Sequence, residues 1–144
     1  MIRLAEEKDF DILLRMCKSF FDASGYSDRF EYNEPDVKEL VRALITDKTM
    51  ITDGKSGMLG FILSPALMNR SQIIAQELFW WVDEDKRGGK LGLDLLKAAE
   101  EQATELGASQ LLMLSLTKLN GGKVNKLYES RGYEPRESVY MRAL

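Results

Sequence analysis

Histidine does not occur among these 144 residues, and cysteine occurs once, at Cys17. Without histidine, the Ser-His-Asp and Cys-His arrangements, the usual zinc enzymes and the commonest general base are all excluded. One cysteine excludes an internal disulfide and a thiolate-rich zinc site, so no metal is expected. No stretch nears the roughly 20 apolar residues that span a bilayer. The N-terminus opens on acidic Glu6, Glu7 and Asp9, not on a basic region and an apolar run, so no signal peptide is read and a reducing cytoplasm is expected. Net charge is −3, which offers no general field for nucleic acid or an anionic membrane, and neither is expected as a partner. Chemistry must therefore run on carboxylates, tyrosine, lysine, backbone dipoles or a cofactor. Any anion site must be a local basic cluster in an acidic protein.

What is present fits one domain over residues 1–144, with 44% apolar and 30% charged residues. Met1 to Ala5 reads as a strand. Phe10, Leu13, Leu14, Cys17, Phe20 and Phe21 recur at helical spacing, and the helix should end near Gly25. Cys17 lies on that apolar stripe and reads as a small core residue, not a nucleophile. Tyr26 to Asn33 reads as a loop. Pro35 opens a second helix with Val37, Leu40, Val41, Leu44 and Ile45 on one face. Strands over Thr49–Thr52 and Met58–Leu63 flank a hairpin turn, Asp53–Gly57.

Ile73 to Val82 is the longest apolar run and predicts a strand buried on both faces. Leu91, Leu95, Leu96, Ala99, Ala103 and Leu106 trace a third helix, closed by Gly107. A buried strand over Leu111–Leu116, a short helix over Asn125–Ser130 and a last strand over Val139–Ala143 complete the order β-α-α-β-β-β-α-β-α-β. The central hairpin makes this an α/β (α+β) fold with a mixed sheet.

The informative segment is Val82-Asp83-Glu84-Asp85-Lys86-Arg87-Gly88-Gly89-Lys90-Leu91-Gly92. A buried strand runs into a turn that opens a long helix, where outward N–H groups favour an anion. Gly88, Gly89 and Gly92 carry no Cβ to keep a ligand from the backbone. Lys86, Arg87 and Lys90 gather where the helix dipole disfavours cations, a cost of several tenths of a kcal/mol each that a bound pyrophosphate would reverse. The alternative is a solvated surface turn with glycines for geometry. Thr49 stands where a Walker A loop ending in Gly54-Lys55-Ser56 needs glycine, and no Gly-x-Gly-x-x-Gly occurs.

This strand, turn and Leu-rich helix, followed by a strand and then Leu-Tyr-Glu-Ser-Arg-Gly-Tyr, resembles the GNAT superfamily over nearly the whole chain. The family's acyl-CoA signature is Arg/Gln-x-x-Gly-x-Gly/Ala, and Arg87 and Gly92 match its ends while Lys90 replaces the inner glycine. Tyr128, Glu129, Gly132 and Tyr133 match its later Tyr-Glu-x-x-Gly-Phe/Tyr run. The family's asparagine about seven residues before the tyrosine is replaced by Gly121, with Asn120 one position earlier.

The resemblance implies a GNAT-like acyl-CoA N-acyltransferase fold, acetyl-CoA as co-substrate, and transfer to an amine without a covalent enzyme intermediate. It places the pyrophosphate on the amides of Arg87, Gly88, Gly89, Lys90, Leu91 and Gly92, with Asn120 and Asn125 as further cofactor contacts. The pantetheine arm would follow the strand ending Phe79-Trp80-Trp81-Val82, and an N–H near Trp81 or Val82 would meet the oxyanion. Tyr128 is the candidate acid for the departing thiolate.

Glu77 is the candidate base, the only ionised group within the long apolar strand. It accepts a proton directly or through water; the alternatives are an ion pair with a neighbouring strand or a turned-out edge position. Alternation sets it on one face with Phe79 and Trp81 unless a bulge intervenes. The acceptor, a small-molecule or protein amine, should meet Tyr26, Glu31 and Tyr32 in the loop between the first two helices. A homodimer is compatible with the resemblance. The competing reading within the fold is a catalytically idle domain that binds acyl-CoA or a partner protein.

Overall fold

The computed structural model describes residues 1–119 and 121–144. In chain order the elements are β1 (Arg3–Leu4), α1 (Phe10–Ala23), α2 (Glu34–Thr46), β2 (Met50–Thr52), β3 (Gly57–Ala66), β4 (Asn69–Val82), α3 (Leu91–Glu105), β5 (Ala108–Leu112) and α4 (Gly121–Ser130). The residues gather into two compact units. One comprises Met1–Phe20 and Asn33–Leu114, the other Phe21–Tyr32 and Ser115–Leu144.

The first unit is built on a five-stranded sheet in the order β1-β2-β3-β4-β5. Its first four strands form an antiparallel meander, and β5 joins β4 in parallel after the α3 crossover. Asp53 fixes the β2–β3 turn: one carboxylate oxygen accepts the N–H groups of Lys55, Ser56 and Gly57 at 2.9, 2.8 and 2.9 Å. Asn33 caps α2 by accepting the Asp36 N–H at 3.1 Å, and Pro35 sits in the first turn as its fixed φ favours.

Both faces of the sheet are covered. Gly57 faces Leu91 and Leu95 of α3, while Gly60 faces Leu44 of α2 and the Phe79 ring. Phe20 of α1 meets that same ring with centroids 5.9 Å apart. Leu13, Met16, Val41, Leu44, Met58, Leu59, Phe61, Leu95 and Leu96 are fully buried in this core. Each such side chain contributes about 1.5–3 kcal/mol relative to exposure.

One irregularity shapes everything downstream. Gly60 pairs with Phe79 and Phe61 with Glu77, so Leu78 is a surplus residue, a β-bulge. The β4–β5 ladder runs only from Ile73↔Ala108 to Gln76↔Leu112. Beyond Gln76, β3 is the only described strand that pairs with β4.

Several boundaries differ from expectation. β4 starts at Asn69, and along Ala75–Val82 the buried residues Ala75, Glu77, Phe79 and Trp81 alternate with exposed Gln76 and half-buried Leu78, Trp80 and Val82, so the run is not buried throughout. β5 is Ala108–Leu112 and at most half-buried, because its register is set by the short parallel ladder and not by the apolar run to Leu116. α4 begins at Gly121, before Asn125. The final strand expected over Val139–Ala143 does not form. Val139 and Tyr140 are 85% and 94% exposed, and no described strand pairs with them, so β-rich composition finds no ladder there. Cys17 is buried in the core, and burial pushes its thiol up to about 12, too high for a nucleophile at neutral pH.

In the second unit, residues 21–32 carry a short 3-10 turn, Tyr26–Asp28. The Asp28 carboxylate pairs with Lys118, whose aliphatic chain lies against Gly25. Tyr128 is the buried residue of α4, its ring 5.4 Å from that of Tyr133. Among the described residues no helix is long and apolar enough to cross a membrane, and no group of histidine, cysteine or carboxylate side chains is arranged to hold a metal ion.

Candidate functional site

Among the described strands, β3 alone pairs with the end of β4, so no strand covers the other backbone edge there. Asp83 donates its N–H to Ser56 O at 2.8 Å, which sets the phase of the β3–β4 ladder. Alternation from that bond turns Met58↔Trp81 and Gly60↔Phe79 inward as hydrogen-bonded pairs. The backbone groups of Trp80 and Val82 consequently face away from β3, on the side that β5 has left. Trp81, by contrast, gives its backbone to β3 and its buried side chain to the core. The Val82 carbonyl accepts the Arg87 Nε at 2.9 Å, so of the two Val82 backbone groups on that edge the N–H is the one left as a donor.

From Val82 the chain enters the turn that leads into α3. Gly88 adopts φ +88°, a left-handed conformation that side chains with Cβ adopt only with strain. A Cβ built at Gly88 or Gly89 would meet nothing within 4 Å, so both look onto open space. Lys90 occupies the N-cap of α3 without a side-chain cap, and among the described residues the N–H groups from Gly88 to Leu93 donate to no backbone carbonyl. Lys86, Arg87 and Lys90 are exposed around them, with Lys86 only loosely paired to Asp85 at 3.8 Å. Gly92 plays a second part. Its missing Cβ faces Trp80 and Val82 at 3.5 and 3.7 Å, so it seats the first turn of α3 against β4. The result is an anion cradle of open amides and cations at a helix start.

Glu77 sits where the β4–β5 ladder ends. It is 4% exposed, and among the described residues no cation pairs with it. Burial pushes its carboxyl up from the ordinary 4.5 to about 8, with a backbone hydrogen bond from Leu114 opposing part of that rise. The ion-pair and turned-out alternatives are thereby removed. By register Glu77 lies opposite Phe61 and Phe79 lies opposite Gly60, adjacent β3 positions on opposite faces. The bulge therefore separates Glu77 from the Phe79–Trp81 face on which simple alternation had set it.

The sequence reading missed a cluster at the mouth of the turn. Arg15 of α1 makes two hydrogen bonds to Asp83, at 3.0 and 2.8 Å, and a third to Lys55 O at 3.1 Å. Trp81 Nε1 donates to the same Asp83 carboxylate at 2.9 Å, and the Arg87 guanidinium lies 4.6 Å from the centroid of the Trp81 ring. Burial alone would raise the Asp83 carboxyl, but Arg15 and Trp81 hold it below the usual carboxylate range. The one available signal was an arginine on the polar side of α1, 68 positions from its partner.

The remaining candidates belong to the second unit. Tyr128 is buried on α4, while Asn125 is exposed on the same helix. Tyr26 lies 6.4 Å from Phe30 and Tyr32 5.2 Å from Phe21, ring to ring, and Glu31 is exposed. Asn120 lies outside the described residues.

A family model described as the acetyltransferase (GNAT) family matches residues 11–133. Solved structures share the fold across the chain. A transcriptional regulator from Bacillus halodurans C-125 is 22% identical with a TM-score of 0.74, covering 99% of each chain. A ribosomal-protein-alanine N-acetyltransferase from Brucella melitensis biovar Abortus 2308 is 19% identical with a TM-score of 0.70, covering 100% of this chain and 99% of that one. A predicted acetyltransferase from Clostridium acetobutylicum, solved with acetyl-CoA, is 13% identical with a TM-score of 0.72, covering 99% and 95%. No curated protein matches this chain in sequence.

Proposed function

This chain belongs to the acetyltransferase (GNAT) family, and from that premise we propose that it is an N-acetyltransferase that draws on acetyl-CoA and acetylates an amine by direct attack. The observation that carries the reading is the continuity of two features in one unit: a β4 edge that no described strand covers beyond Gln76, running straight into a turn whose N–H groups meet no backbone carbonyl among the described residues and which Lys86, Arg87 and Lys90 ring. An extended ligand with an amide-bearing arm and a pyrophosphate suits that path. Gly88 and Gly89, with nothing near their missing side chains, leave room for it.

Acetyl-CoA supplies an acetyl group activated as a thioester. The chain's own residues supply the rest. Glu77, with its carboxyl raised to about 8, takes a proton from an ammonium acceptor near neutral to mildly alkaline pH. The Val82 N–H serves as a fixed donor for negative charge developing on a carbonyl oxygen. Tyr128, assigned by its motif, gives a proton to the departing sulfur. Aromatic Tyr26 and Tyr32 with acidic Glu31 suit a cationic amine, either a small molecule or a protein.

A thermal-shift series with acetyl-CoA, ATP and NAD tests the donor. Acetyl-CoA alone should stabilise the protein, by about 2.7 kcal/mol at a hundredfold excess over Kd. Thiol release from acetyl-CoA with a panel of amines then tests the transfer. Stabilisation by ATP without stabilisation by acetyl-CoA would overturn the reading.

A further inference from the structure

We propose that Arg15 keeps the coenzyme turn cationic by holding the Asp83 carboxylate out of it. The inference rests on the reading of that turn as the acetyl-CoA site, and it gives α1 a part in donor binding that no residue of the turn itself reveals.

Asp83 is the residue through which β4 enters the turn, and its carbonyl accepts the Lys86 N–H at 2.9 Å. Its carboxylate is thus close in the chain to Lys86 and Arg87, the two cations that the phosphates need. Trp81 brings it closer still. The indole N–H holds Asp83 at 2.9 Å while the indole face carries the Arg87 guanidinium at 4.6 Å, so anion and cation sit on one ring. Arg87 nevertheless directs its Nε to Val82 O and not to Asp83. Arg15 accounts for that choice. Its planar fork meets both Asp83 oxygens at 3.0 and 2.8 Å, and its bond to Lys55 O anchors the fork to the β2–β3 turn. With Asp83 engaged from the α1 side, Lys86, Arg87 and Lys90 are offset only by the exposed Glu84 and Asp85, and the turn keeps a net positive charge.

Removing Arg15 frees a negative charge beside a site for negative ligands. The carboxylate then repels phosphate and competes for Arg87 or Lys86. Arg15 is therefore a positioning residue whose effect is electrostatic, and this sets it apart from a structural strut.

The test is isothermal titration of coenzyme A into wild type, Arg15→Ala, Arg15→Gln, Asp83→Asn and the Arg15→Ala/Asp83→Asn double variant, with Tm measured for each. Arg15→Ala and Arg15→Gln should raise Kd roughly fivefold at low salt, less at high salt. Asp83→Asn, which still accepts the Trp81 N–H, should bind at least as tightly as wild type. The double variant should recover most of the affinity lost in Arg15→Ala. Wild-type affinity in both Arg15 variants would overturn the inference, and so would a double variant as weak as Arg15→Ala, since a strut is not restored by removing its partner's charge. Failure of the wild type to bind coenzyme A is a separate result that removes the functional reading beneath it.

Discussion

Replacing Glu77 by glutamine should make this protein more stable and less active, with both effects governed by pH. The carboxyl is raised from 4.5 to about 8, chiefly by burial, so the folded state disfavours the charged form. A group raised in this way contributes stability below its unfolded value and loses it as pH climbs through the folded value. At about 1.4 kcal/mol for each pH step, wild type loses about 5 kcal/mol between pH 4.5 and 8, some 3 kcal/mol of it by pH 7. The amide introduced by Glu77→Gln cannot ionise and keeps an oxygen for the Leu114 N–H. At pH 9 the variant should thus melt on the order of 10 °C above wild type, and near pH 4.5 the two should coincide.

Differential scanning calorimetry from pH 4.5 to 9 reads this directly. In parallel, kcat/KM of wild type should rise toward pH 8 and that of Glu77→Gln should stay low and flat. Melting curves that run in parallel across the whole pH range would refute the argument, because they would show that Glu77 ionises in the folded protein as it does in the unfolded chain.

Other substitutions divide binding, chemistry and packing. Gly89→Leu meets open space in the folded chain, so Tm should hold while Kd for coenzyme A rises by tenfold or more as the side chain blocks the amides. Tyr128→Phe should lower kcat of thiol release by 10²-fold or more, the scale of a lost general acid, and leave coenzyme A affinity within twofold; unchanged kcat would remove Tyr128 from the chemistry. Gly60→Ala puts a methyl 2.7 Å from the Phe79 ring, and chemical denaturation should show a loss of about 1–3 kcal/mol.

Much of this was legible in the residues because periodicity carries it. The stripes Leu13–Cys17–Phe20, Val41–Leu44 and Leu95–Leu96–Ala99–Ala103 became the buried faces of α1, α2 and α3. The turn at Lys86–Lys90 announced itself by breaking a rule, with cations where a helix start prefers anions. Other features left no local mark. Leu78 looks like any apolar residue in an alternating run, with no glycine or proline to flag a bulge. Val139–Ala143 has the composition of a strand, yet a strand exists only where another offers its edge. The helix expected from Asn125 starts four residues earlier, with Gly121 and Gly122 in the first turn of α4. Arg15 likewise left no mark, since nothing in the neighbouring residues points to a partner 68 positions away.

The surplus residue at Leu78 acts as a parity switch. Side chains along a strand obey even-and-odd rules, and one extra residue exchanges even for odd at everything beyond it. The carboxylate of Glu77 before the switch and the indole of Trp81 after it therefore answer to different sides of the sheet, although both positions are odd. A chain with Leu78 deleted would keep every chemically informative side chain and still lose the arrangement, because one of the two sets would have to turn inside out. In this strand, counting matters as much as composition.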